Sequence, residues 1–257
     1  MRIAVIGTGN MGSWFARELC KDHEIAVYDK NPEKAKALKD VRILAELPEL
    51  RDFRAEMLLN AVSLQHTVEA FESTKEYLPE DCLLCDVTSI KGELPAYYEK
   101  SKRRFVSIHP MFGPTFANME NLKKENCVII KESDQKAANF FRYFFGRLGL
   151  KIFDYSFEEH DRMMAYSLTT PFAASLVFAS CVDDTAVPGA TFARHRNLAK
   201  GLLSEDDHLL AEILFNPESM PQLERIISRM EFLKHVIKGR DYDEAKRFFD
   251  KLRRNVE

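Results

Sequence analysis

Two side chains that can move or hold a proton stand where apolar runs end. His109 closes the run in VSIHPMFGP (residues 106–114), ahead of a proline and a Met-Phe pair. A neutral imidazole near pH 7 is suited to accept a proton. Ser89 lies in DVTSIK (86–91), just after the apolar run CLLC, and its hydroxyl can donate and accept. Each has a plain structural alternative: a half-buried histidine bonded to backbone, and a serine that only turns the chain. A third group, the Asp29 carboxylate, ends the run EIAVYD and can accept hydrogen bonds from sugar hydroxyls.

The elements that must position these groups begin at the N-terminus. RIAVIG is a short continuous apolar run, as expected of a strand buried on both faces of a parallel sheet. GTGNMG follows directly, then SWFARELCK at helical spacing. Gly7, Gly9 and Gly12, with Asn10 and Met11 between them, therefore occupy a strand-to-helix turn, the context in which G-x-G-x-x-G points to a dinucleotide. The first glycine permits the turn, the second lets a pyrophosphate approach, and the third lets helix pack on strand. The helix N-terminus offers free N–H groups and a partial positive charge. Asp29 comes 17 residues after Gly12, about where an acid meets the adenosine ribose. Its charge disfavours a 2′-phosphate, and neither Lys30 nor Asn31 is an arginine, so NAD is expected rather than NADP.

Apolar runs alternate with helical segments through residue 155. Strands are predicted at 41–44, 55–62, 82–87, 104–109, 126–130 and 151–155, and helices near 32–40, 65–78 and 134–148. From Ser156, a predicted N-cap with Glu159 completing a capping box, the strand-like runs stop. Helices are expected at 157–182, bent at Pro171, and at about 192–203, 205–215, 219–239 and 241–254. The fold class is α/β: a Rossmann doubly wound sheet (1–155) followed by an all-helical domain (156–257). In such sheets the ligand lies beyond the carboxyl ends of the strands, so Ser89 and His109 are expected to face one crevice.

Composition narrows the function further. With 257 residues, 46% hydrophobic and 30% charged, the chain can bury a large core. A net charge of -3 argues against nucleic acid, and the basic clusters at 100–104 and 251–255 read as solvated surface. No apolar run approaches the roughly 18 residues of a membrane span, and no export signal opens the chain, so a cytoplasmic protein is expected. Cys82 and Cys85 have the spacing of a redox or zinc pair, but on a strand they point to opposite faces and no second pair completes a site. Buried packing and no metal are the expectation.

Taken in order and spacing, the glycine fingerprint, DVTSIK, SIHPMFGP and EEHDRMMAYS resemble the prephenate/arogenate dehydrogenase family of tyrosine biosynthesis, HPMFGP being the most specific part. The resemblance spans essentially the whole chain. It implies NAD-dependent oxidative decarboxylation of prephenate, with His109 as the catalytic histidine, Ser89 orienting it or the substrate, and a helical domain that forms a dimer. It further implies an arginine on a substrate carboxylate, which falls on Arg194, with Arg196 two residues away. One position departs from the family: twelve residues beyond His160 stands Phe172, where a second histidine is usual. That departure leaves both prephenate and arogenate open, along with a regulatory homologue of weak activity. A β-hydroxyacid dehydrogenase would carry a lysine in the helix predicted at 157–182, which has none. A homodimer is also expected because Phe172, Leu176, Val177, Leu209, Leu210, Ile213, Leu214, Ile226, Ile227 and Leu233 give a thin helical layer more apolar surface than it would bury alone.

Overall fold

Successive apolar runs pair side by side into one sheet in the computed structural model, which describes residues 1–112, 122–183, 185 and 187–257. Gly113 and Pro114 of HPMFGP lie outside the described residues. The strands are β1 (Arg2–Ile6), β2 (Glu24–Tyr28), β3 (Arg42–Ile43), β4 (Met57–Asn60), β5 (Leu83–Asp86), β6 (Phe105–Pro110), β7 (Asn126–Ile130) and β8 (Lys151–Tyr155). They form an eight-stranded sheet in the order β3-β2-β1-β4-β5-β6-β7-β8. Pairing is parallel except between β6 and β7, where His109 lies opposite Val128 and Pro110 opposite Cys127. Chain order reverses between β1 and β4, which opens a crevice at their carboxyl ends.

Alternate residues of each strand feed two cores. Val5, Val27, Leu59, Cys85, Ile108 and Ile129 pack with the helices Asn10–Leu19 and Gln135–Arg147. Ala4, Ala26, Leu58, Cys82 and Leu84 pack on the other side with Phe71, Tyr97 and Tyr98. Cys82 and Cys85 thus separate onto opposite faces, as their spacing predicts. Burial pushes the Cys82 thiol up to about 12 and that of Cys85 well above its ordinary value. No cluster able to hold a metal occurs among the described residues.

From Phe157 onward the described elements are helices: Phe157–Ser180, Ala190–Leu202, Asp207–Phe215, Ser219–Gly239 and Tyr242–Val256. The chain forms two compact units, Met1–Met163 with Asp206–Leu209, and Met164–Glu205 with Leu210–Glu257. The division falls later than Ser156 because the start of the long helix packs within the first unit, with Phe157 stacking on Tyr98 and Phe105. The helix is continuous through Pro171. By length and composition it is apolar enough to cross a membrane, with a mean hydropathy of 1.2. That corrects the expectation of no such segment: a count of unbroken apolar runs misses it because Ser and Thr interrupt them.

Candidate active site

The glycine loop has the geometry its residue types imply. Gly7 has φ of +84°, and a Cβ there would lie 2.8 Å from the Ala61 backbone. Any Cβ on Gly12 would collide with the Gly7 carbonyl, so helix and turn meet at van der Waals contact. A Cβ on Gly9 would meet nothing within 4 Å. Close packing thus requires glycine at Gly7 and Gly12, whereas at Gly9 its absence of side chain leaves a cradle, as a pyrophosphate needs. Asn10 and Met11 begin the following helix, whose N-terminus aims its free N–H groups at that space.

Asp29 closes the cradle. Its Oδ2 accepts from the Thr8 backbone N–H at 2.6 Å and the Thr8 hydroxyl at 3.1 Å, and its Oδ1 accepts from the Asn31 N–H at 2.8 Å. Burial raises its pKa, but those hydrogen bonds outweigh burial and hold it below the usual carboxylate range. Gly7, Gly9, Asp29, Tyr28, Val62 and His66 line a cavity of about 400 Å³ beside the β1–β4 switch point. These residues fit a dinucleotide: the cradle for phosphates, the anionic Asp29 for ribose hydroxyls.

His109 is 7% exposed, near the end of β6. Its Nδ1 lies 3.0 Å from Nε2 of His160, with the rings tilted at 67°. His160 Nδ1 is in turn 2.9 Å from Oδ1 of Asp161. The helix that carries both starts with the expected capping box: Glu159 N–H donates to Ser156 Oγ at 3.1 Å, and Ser156 N–H to Glu159 Oε2 at 2.8 Å. Burial, then His160, then Lys91 hold the His109 imidazole well below its ordinary range. Burial also lowers His160, against the raising effect of Asp161.

Behind His109 lies a buried ion pair. Lys91 Nζ donates to Asp86 Oδ1 at 2.8 Å and to the Ile108 carbonyl at 2.9 Å, and both side chains are 0% exposed. Asp86 Oδ1 also accepts from the Thr88 hydroxyl and Oδ2 from Tyr98, each at 2.8 Å. Burial raises the Asp86 pKa, but Lys91, Ser107 and Tyr98 bring it below the usual value. Ahead of His109, Phe112 packs edge-on against Trp14 of the glycine-loop helix at 5.1 Å. The histidine strand and the nucleotide helix are thereby tied together.

Ser89 is half-buried, and its side chain makes no hydrogen bond among the described residues; the neighbour that engages the His109 ring is His160. Arg194 and Arg196 are exposed on the helix Ala190–Leu202 of the second unit, without ion pairs among the described residues, and Phe172 is half-buried on the long helix. Both arginines lie in the second unit, and the cluster around His109 lies in the first. Sequence reasoning passed over three members of that cluster. His160 and Asp161 follow the capping box directly, which was the available signal. Lys91 carried no signal beyond its short spacing from Asp86.

Fold and site define the class, a dinucleotide-binding α/β domain joined to a helical unit, with a buried histidine near the end of the sixth strand. The model of the prephenate dehydrogenase nucleotide-binding domain matches residues 14–152, more than half of the chain, and the chain belongs to that family. It is similar to arogenate dehydrogenase 1 of Arabidopsis thaliana, 25% identical over 93% of this chain and 40% of that protein. It also resembles the T-protein of Haemophilus influenzae, 25% identical over 96% of this chain and 62% of the relative. The chain thus spans roughly half the length of these curated relatives. Among solved structures, prephenate dehydrogenase from Aquifex aeolicus, in complex with hydroxyphenyl propionate and NAD+, has a TM-score of 0.85 at 22% identity, covering 100% of this chain and 98% of the other. Arogenate dehydrogenase of Synechocystis superposes with a TM-score of 0.78 at 17% identity, covering 100% and 99%.

Proposed function

We propose that this chain catalyses NAD-dependent oxidative decarboxylation of prephenate to 4-hydroxyphenylpyruvate, with arogenate as the competing substrate. The observation that carries this reading is His109, an imidazole held neutral near the end of the strand beside the nucleotide crevice. A neutral ring can take the proton of the substrate's ring hydroxyl. The electron pair of that O–H bond then forms the C=O as hydride leaves the same carbon. Loss of the ring carboxylate as CO₂ completes an aromatic ring, which supplies the driving force. NAD+, when bound in the glycine cradle, accepts the hydride. The residues assigned to hold it are Gly7, Gly9, Asn10, Met11, Gly12 and Asp29. Proton removal by a positioned base is worth about 10²- to 10⁴-fold in rate.

Arg194 is assigned to a substrate carboxylate, because a guanidinium fork matches a carboxylate bidentately and this one makes no ion pair among the described residues. Ser89 is assigned to the substrate hydroxyl or to His109. Preference for NAD+ over NADP+ rests on the Asp29 carboxylate, held anionic at the end of β2. The helical unit is assigned to a homodimer. On the helix Ser219–Gly239, Met220, Ile227, Met230, Leu233 and Ile237 are exposed at helical spacing, an apolar stripe of the kind subunit interfaces cover.

Turnover with prephenate and with arogenate, each with NAD+ and NADP+, tests the reading through the absorbance of reduced nicotinamide. Prephenate with NAD+ is expected to give the highest kcat/KM. A higher value with arogenate overturns the substrate, and one with NADP+ overturns the cofactor. No turnover of either acid overturns the enzymatic reading.

A further inference from the structure

The His109 ring does not stand alone: it ends a line of three groups, and the proposal that follows rests on the reaction above. We propose that His160 and Asp161 are positioning residues, a carboxylate–imidazole–imidazole chain that keeps the proton of His109 on Nδ1 and leaves its Nε2 bare toward substrate. Donor and acceptor roles along the chain follow from its outer end. A carboxylate oxygen only accepts, so at 2.9 Å from Asp161 Oδ1 the proton of His160 belongs on Nδ1. The opposite tautomer would set a bare ring nitrogen against a carboxylate lone pair. A neutral His160 protonated on Nδ1 has only an acceptor at Nε2, and 3.0 Å away stands Nδ1 of His109, which must therefore donate. The remaining nitrogen of His109, Nε2, is the base. The same logic sets the tautomer of the histidine in hydrolase triads, with one more imidazole interposed here.

Three elements fix the line. Asp161 Oδ1 lies 3.4 Å from the Lys91 backbone N–H, at the end of the loop after β5. Lys91 Nζ holds the Ile108 carbonyl, one residue before His109. The capping box sets the first turn that bears His160. Around the two rings stand Lys91 and Asp86 from the β5 side, Cys127 on β7, and Asp161 on the helix. Burial and the Lys91 charge oppose a cation on His109, and Asp161 offers it a better place. As the substrate hydroxyl gives its proton to His109 Nε2, the Nδ1 proton of His109 passes to His160 Nε2. The positive charge then rests on His160, paired with Asp161, and His109 is neutral again. No other reactant is needed.

The test reads tautomers first and turnover second. ¹⁵N spectra of the histidine-labelled full chain near neutral pH are expected to show His109 with hydrogen on Nδ1 and bare Nε2. In Asp161→Leu no acceptor remains to keep the hydrogen of His160 on Nδ1, so His109 is no longer confined to the Nδ1 form and hydrogen appears on its Nε2. That variant should lose at least roughly 10²-fold in kcat, with KM and NAD+ affinity nearly unchanged. His160→Gln, whose carbonyl can still accept from His109 Nδ1, should retain more activity than His160→Phe. Wild-type His109 protonated on Nε2 overturns the chain, whatever the turnover. So does an Asp161→Leu protein with wild-type tautomers and kcat. Should Asp161→Leu fail to fold, the wild-type spectrum and the Gln–Phe contrast decide. Expected tautomers in a protein that turns over neither prephenate nor arogenate support the chain and reject the reaction.

Discussion

At the scale of single residues, the site sets a buried imidazole beside a buried ion pair, Lys91 with Asp86. His109→Asn removes the base, and kcat should fall by about 10²- to 10⁴-fold with KM and NAD+ affinity little altered. Because burial holds His109 well below 6.5, the acid limb of kcat/KM should lie below the ordinary histidine range and vanish in His109→Asn. The same depression has a consequence for stability. Below pH 6.5 the unfolded chain binds protons that His109 and His160 refuse when folded, so stability should decrease as pH falls from there toward their lowered values. Denaturant melts from pH 7 downward would show that slope, and His109→Asn should flatten it. Asp86 behaves with the opposite residue type but the same sign: its contribution is present above the unfolded value of 3.8 and is lost as pH falls through the lowered folded one. Lys91→Met strands the Asp86 charge in a fully buried site, and a loss of about 3 to 5 kcal/mol is expected in urea melts. Replacing both partners by apolar residues should cost less, because no unpaired charge remains.

At the scale of elements, the glycine loop separates folding from binding. Gly12→Ala forces helix and turn apart and should lower the melting temperature. Gly9→Ala meets open space, so its melting temperature should hold while NAD+ affinity, measured by calorimetry, drops. Equal effects of the two on stability would show that the cradle is not where Gly9 points. Those glycines, β1, β2 and the Asp29 turn were legible in the sequence because turn chemistry is local. β7 was legible too, as the continuous apolar run CVII, and β8 at KIFDY. The helix Leu94–Ser101 was not among the predicted helices, although Leu94, Tyr97 and Tyr98 recur at helical spacing and are buried. The helix of 32–40 ends at Lys36, and β3 shrinks to Arg42–Ile43, because element ends are set by packing rather than propensity. His109 and His160 are 51 positions apart, and Trp14 and Phe112 lie on different elements, so no local pattern announces their contacts.

For the whole molecule, the helical unit leaves many large apolar side chains exposed, Ile227 and Ile237 among them. Ile227→Asp, in the middle of the stripe, should shift light scattering from the mass of two chains toward 29.7 kDa, the mass of one. A wild-type protein already at that mass at micromolar concentration rejects the proposed dimer. The first unit is organised differently, around the fully buried Lys91. Its ammonium grips Asp86 on one strand and the Ile108 carbonyl on the next, inside a closed shell. Any local opening that let solvent deuterium reach the β6 backbone would have to hydrate that ammonium and carboxylate as well, which amounts to undoing the sheet. The amides of Val106 to His109 are therefore expected to exchange only with global unfolding, so that their exchange rate reports the stability of the entire domain. Protons of the proposed reaction would then travel through the most slowly breathing part of the molecule, with motion left to the surfaces that admit the ligands.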